Sequence, residues 1–478
     1  MKQGIPWNWS EEKRKVGQLM GVGQLAGGEE EGWIVYGSFC CRVLVEMKKP
    51  EEVLVGGEEE TDAGRRRRGL CHSLLVTSSQ FFCIASDKSG FFRMGIEDYL
   101  FQQLSFLEGY GGQPMQNQKQ PTKSLLNTAF YMQFIKNVGL KVSQNGSNFL
   151  FSPLSIHVIL GMIAAGSSGR TLEQILSFLK LEDAHVLNSV TSELIHLISV
   201  DGTQNGGPCL AFINGMWADE VRKEVNLWVV SATNGLIQEL LPYGSLDSST
   251  MFVLANALHF KGAWNKKFYP TKTQNRKFYL LDGGTVHVPF MTNSEDQCVG
   301  SFDGFKVLKL PYLQGQDQRQ FSMYFFLPDE RDGLPSLLEY LSSDSKLLNE
   351  PVYLHEVKVG EFWLPKFKIS FAMETSPILK EMGLVLPFSD VGDFTEMVDS
   401  RENLHLHVSE IFHKSFVEVN EDGTDAAAAT AFVGVGCCPD PPEPIDFVAD
   451  HPFMFMIRED VKGVVLFMGN VIDPSKSN

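Results

Sequence analysis

The sequence predicts an α+β fold, and three observations carry that prediction. Residues 125–140 and the stretch from Asn148 to Leu179 place apolar side chains at helical spacing. From Met251 onward, β-branched and aromatic runs separated by turn residues take over. Helices come first and strands dominate later, an order that suits segregated layers rather than a repeating βαβ unit.

Taken in order, Leu125, Leu126, Ala129, Phe130, Met132, Phe134, Ile135 and Val138 predict an amphipathic helix over 125–140. A second helix follows Asn148–Phe151: Ser152 is its cap, Pro153 occupies the first helical position, where a missing N–H costs nothing, and Gly166 stops it. Thr171-Leu172-Glu173-Gln174 reads as a capping box opening a further helix through Leu179. Strands are expected at 251–260, 321–327, 356–364, 367–371, 453–457 and 464–468. The last two, bridged by Arg458 to Gly463, predict a C-terminal hairpin buried on both faces.

Composition narrows the function classes. The 478 residues are 43% hydrophobic and 21% charged, enough to build a core, which excludes fibrous and wholly disordered chains. A formal charge of −17 argues against nucleic acid as a partner, because phosphate binding needs clustered Lys and Arg. No apolar run reaches membrane-spanning length, and the start, MKQGIPWNWSEEKRK, lacks the apolar segment of a signal peptide. A cytoplasmic or nucleocytoplasmic protein with reduced thiols is therefore expected.

The chain divides at residue 123. Residues 1–123 hold 15 positive and 16 negative side chains, whereas 124–478 hold 26 and 42, so −16 of the −17 belongs to the second part. Seventeen of 43 glycines lie in the first part, a composition expected of a disordered extension. Its notable features have plain readings. Arg65 to Arg68 could form a polyanion or nuclear-import patch, but Glu58, Glu59, Glu60 and Asp62 beside it favour a solvated loop. Gly21 to Gly28 do not match a phosphate-cradling pattern. The cysteines at 40, 41, 71, 83, 209, 298, 437 and 438 fit no C-x-x-C zinc or redox spacing, so neither metal nor cofactor is expected.

Three long stretches carry a family resemblance. They are Asn148-Phe149-Leu150-Phe151-Ser152-Pro153-Leu154-Ser155, the run Leu254-Ala255-Asn256-Ala257-Leu258-His259-Phe260-Lys261-Gly262-Ala263-Trp264, and His413 to Asn420 continuing through Glu421 to Thr430. With Asp450-His451-Pro452-Phe453 following, the set resembles the serpins, most closely the plant Z type, over about 124–474. The resemblance implies helices around a large central sheet with further sheets and an exposed reactive-centre loop. It implies a monomeric inhibitor whose partner is a serine or papain-like cysteine protease, not an enzyme. By family analogy, an extracellular location is the alternative to the cytoplasmic one.

Residue by residue, the resemblance makes Gly423, Thr424, Asp425, Ala426, Ala427, Ala428, Ala429 and Thr430 the hinge of that loop. Four alanines are good helix formers, so a short helix is the rival reading. As a strand with period two, Thr424, Ala426, Ala428, Thr430 and Phe432 would face inward and Asp425 outward, so no charge would be buried. The attacked bond falls at Cys437-Cys438, with Gly436-Cys437 as the competing register. Ser152, Ser155, Asn256 and His413 match a buried polar cluster beneath the point where a serpin sheet opens, and Trp264 an aromatic near its top. One departure stands out: roughly thirty residues of the family pattern are missing near 220–224, which favours as alternative a non-inhibitory binding protein or an inactive truncated serpin.

Overall fold

The computed structural model describes residues 128–199, 207–218, 222–232, 237–246, 252–344, 346–349, 352, 354–396, 406–422 and 444–477, together with the backbone of 33–36, 39–44, 71–77 and 80–86. Its largest sheet has eight strands. In spatial order they are β1 (Trp33–Tyr36), β2 (Phe39–Leu44), β3 (Cys71–Thr77), β4 (Gln80–Ser86), β6 (Cys209–Ala218), β7 (Phe252–Lys261), β16 (Val408–Val419) and β15 (Phe367–Glu374). A second sheet runs β13 (Glu356–Val357), β10 (Gln297–Phe302), β11 (Phe305–Pro311), β12 (Phe321–Pro328), β18 (Phe453–Glu459), β19 (Val464–Val471) and β5 (Phe149–Phe151). A third comprises β17 (Ile445–Val448), β14 (Val359–Pro365), β9 (Thr285–Met291) and β8 (Gln274–Tyr279).

The expected C-terminal hairpin is β18–β19, and every residue of both strands is buried. Such strands read as continuous apolar runs because neither face meets water. The first expected helix runs from α1 (Thr128–Phe134) through a π-turn at Ile135–Gly139 into α2 (Leu140–Gln144). Next comes α3 (Pro153–Ala165), in which every residue from Pro153 to Ala164 is buried. A helix apolar on all sides belongs inside. Its start is as the sequence predicts: Ser152 Oγ accepts the Ser155 amide at 3.1 Å, with Pro153 in the first turn.

The capping box does not form. Helix α4 (Gly169–Leu179) starts two residues before Thr171, and no side chain caps it. Thr171 Oγ1 instead accepts the Asp393 amide at 2.9 Å, and Gln174 Oε1 accepts the amides of Val385 and Leu386 at 3.1 and 2.7 Å. These side chains satisfy donors of a distant turn, a tertiary use that local pattern does not encode. Helix α5 (Ala184–Ser199) follows, and α6 (Arg222–Ala232) lies against the large sheet. The other α-helices among the described residues are α7 (Leu334–Ser343), α8 (Lys346–Asn349) and α9 (Ser376–Glu381). Four strands, β1–β4, fall within residues 1–123, where composition predicts a disordered extension.

Candidate functional site

In the large sheet β7 and β16 are neighbours that run parallel, with Val253–His259 opposite Glu410–Phe416. Their outer neighbours β6 and β15 are antiparallel to them. Alternation divides the two faces. Val253, Ala255, Ala257 and Phe412 face one way, into a cluster with Val225 and Val229 of α6 and with Ile237, Leu240, Leu241 and Leu246. Leu254, Leu258, Ile411 and Val417 face the main core. The segment after α6 is fastened down by Asn226, whose Oδ1 accepts the amides of Leu240 and Leu241 and whose Nδ2 donates to Leu241 O at 2.8 Å. Lys414 Nζ adds a 2.6 Å bond to Glu239 O.

On the core face, the expected polar cluster assembles. His413 Nε2 accepts the Ser152 amide at 3.1 Å and the Ser415 hydroxyl at 2.7 Å. That leaves the proton on Nδ1, which donates to Asn256 Oδ1 at 3.0 Å. Asn256 Nδ2 in turn donates to Asn214 Oδ1 at 2.5 Å. His413, Asn256 and Asn214 are register partners on three adjacent strands, so the network is a rung across the sheet. All six residues of the cluster, Ser152, Ser155, Asn214, Asn256, His413 and Ser415, are 0% exposed. Burial pushes the His413 imidazole down to about 3, which keeps it neutral, linking the donors Ser152 N and Ser415 Oγ to the acceptor Asn256 Oδ1. Ser155 contributes its amide to Ser152, while its own Oγ has no partner among the described residues.

Asn214 and Ser415 are absent from the sequence reading. Ser415 carries the signal of period two from His413. Asn214 is joined only through the β6–β7 register, which the sequence does not print.

Where β16 ends, the chain is pinned. Trp264 Nε1 donates to Asn420 O at 2.9 Å and the Trp264 amide to Asp422 O at 3.1 Å. The Trp264 ring stacks on Tyr312 at 4.5 Å, in contact room that Gly262 leaves open, since a Cβ there would lie 2.9 Å from the Tyr312 ring. Glu421 is held by Lys366 at 2.6 Å and Thr273 at 2.7 Å. Partial burial works against its charge, yet these bonds hold the carboxyl below its usual range. Its contribution to stability is thus present above the ordinary carboxylate range and lost as pH falls through the folded value. Glu421→Gln should cost about 1 kcal/mol at neutral pH, lowering the melting temperature by a few degrees. An unchanged melting temperature at pH 7 would contradict the pinning.

The residues expected to form the hinge, Gly423 to Thr430, and the expected bond at Cys437-Cys438 follow Asp422 and lie outside the described residues. The chain is described again from Pro444, entering β17, which pairs in parallel with β14, while the Glu361 amide donates to Asp446 Oδ1 at 2.6 Å. The described part of the site is thus the polar rung across β6, β7 and β16 and the two anchored ends, at Asp422 and at Asp446, of the segment between them. Among the described residues no group of His, Cys, Asp and Glu could hold a metal ion.

That architecture has relatives. The family model described as "Serpin (serine protease inhibitor)" matches residues 125–222 and 213–474. This chain belongs to the serpin family. Its similarity to plant Z-type members is high: Serpin-ZX of Arabidopsis thaliana is 49% identical, covering 72% of this chain and 96% of the relative, and Serpin-ZXA of Oryza sativa subsp. japonica is 48% identical, covering 69% and 91%. The solved structure of Arabidopsis AtSerpin1 in its native stressed conformation is 46% identical, with a TM-score of 0.67 over 73% of this serpin and 97% of that chain. Uncleaved ovalbumin shares the fold, at 24% identity and a TM-score of 0.61.

The similarity also locates the gap in this serpin. The Arabidopsis comparison runs over 377 residues but takes in 72% of 478, roughly 344, so about thirty positions of the relative face no residue here. The family model restarts at 213 after ending at 222, so the break falls within 213–222, across the second half of β6 and the residues just after it.

Proposed function

We propose that this serpin inhibits a serine or papain-like cysteine protease as a suicide substrate, with Gly423 to Thr430 as hinge and Cys437-Cys438 as the attacked bond. The observation that supports this reading is the bare parallel pairing of β7 with β16 directly beside the loop's exit. A strand returning from Asp422 between them would run antiparallel to both, replacing one slanted parallel ladder by two perpendicular ones. About 14 inserted residues at ~3.3 Å each would carry an attached protease ~45 Å. About a dozen new ladder bonds at about 1 kcal/mol each give on the order of 10 kcal/mol, comparable with the stability of a whole domain. That is enough to distort an acyl-enzyme, separating its nucleophile from base and oxyanion donors and stalling deacylation.

Mixing the purified protein with serine and papain-like proteases should yield a covalent complex stable in SDS. The released C-terminal fragment should start at Cys438, or at Cys437 in the competing register. Loop cleavage with no complex would overturn the inhibitory reading. A non-inhibitory binding role is the second reading, favoured by the missing thirty positions. It predicts no gain in melting temperature after loop cleavage, whereas insertion predicts a large one. For location we propose the cytoplasm or nucleocytoplasm, where a partly exposed thiol such as Cys298 would stay reduced.

A further inference from the structure

Strand β6, Cys209–Ala218, reads CLAFINGMWA: ten residues without a single charge or proline. Natural edge strands protect their unpaired N–H and C=O groups with charges, proline, bulges or brevity. The opposite edge of the same sheet obeys this rule, since β15 carries Lys368 and Glu374. By composition, β6 is an interior strand and requires a neighbour on each side. One is β7. The gap relative to the Arabidopsis serpin falls within 213–222, and the next described element after β6 is the helix α6, so the described residues that follow supply no second strand there.

The structure places a neighbour there. β4, from the Gly-rich N-terminal part, pairs in parallel with β6, with Gln80, Phe81, Phe82, Cys83 and Ile84 in register with Ile213, Asn214, Gly215, Met216 and Trp217. Parallel partners need a long crossover, and residues 87–208, with their helices, supply one. β3 covers β4, β2 covers β3, and the sheet ends on β1, a strand of only four residues, which is one of the protected kinds of edge.

We infer that residues 71–86 complement the β6 edge in cis and are a working part of the large sheet. The stretch is a built-in partner for an edge that the shortened chain would otherwise leave open. On this inference it is part of the same folded unit as β6.

The register supplies the test in the full-length chain. Cys83 and residue 216 are Cα partners on neighbouring strands, which lie about 4.8 Å apart. That separation is within the span of a disulfide. The Met216→Cys variant, oxidised with oxidised glutathione, should form a disulfide between positions 83 and 216 within one chain, read by non-reducing peptide mapping. Linkage of position 216 to a different cysteine, linkage between two chains, or no linkage overturns the inference. Independently, Phe82→Pro in the full chain removes an interior ladder donor from β4. It should speed amide exchange across Phe212–Ala218 at least tenfold while the β18 and β19 amides keep their protection. Unchanged exchange at 212–218 overturns the inference equally.

Discussion

His413→Ala is expected to lower the melting temperature by about 5–10 °C and to divert the protein toward loop cleavage without complex formation. The imidazole is 0% exposed and joins Ser152, Ser415 and Asn256. Removing it strands three polar groups where water cannot replace the lost partner, each costing about 1–3 kcal/mol, and leaves a cavity besides. The loss falls on the rung between β7 and β16, the strands that would part in the proposed insertion. Premature opening is therefore the expected failure, and thermal unfolding alongside the ratio of complex to cleaved inhibitor measures it. Unchanged values for both would contradict the role.

Acid should weaken the fold well above the carboxylate range. His157 and His259 are buried at 3% and 8% exposure, and burial holds each down to about 4, as it holds His413 down to about 3. The unfolded chain takes up these protons near 6.5, while the folded chain refuses them until pH 3–4. Their contribution is thus complete above about 6.5 and falls steadily below it. Each group loses about 2 kcal/mol between pH 7 and 5, at 1.36 kcal/mol per unit below 6.5, so the three together approach 6 kcal/mol. Urea midpoints at pH 7 and 5 should differ accordingly, and coincident midpoints would sink the prediction.

Much of this was legible from residue order. The strands at 252–261, 321–328 and 453–471 announce themselves because both faces are apolar. Ser152, Asn256 and His413 were found through their motifs, and the structure joins them. What stayed hidden depends on contacts between distant segments. β8, QNRKFY, is charged because its edge faces water, so it carries no strand signal of its own. Thr171 and Gln174 look like local caps but bond to residues more than 200 positions away. Asn214 needs the register of two strands, pairing residues 42 apart in sequence, to be seen as part of the rung. In β3 and β4, isolated serines and a Gly-rich setting mask short strands whose support is the edge of β6.

The Asn214–Asn256–His413 rung also sets a scale of length. If β16 slipped by one residue, His413 would turn from the polar cluster into the apolar cluster beneath α6, a burial it could not satisfy. The zero mark of the strand is thereby fixed, and everything C-terminal to it is measured from there: nine residues to the pinned Asp422, then the loop. On the proposed inhibitory reading, the chemistry of the attacked bond can vary while its distance from the rung cannot, so single-residue insertions or deletions between His413 and Cys437 should be far more damaging than substitutions at the same positions.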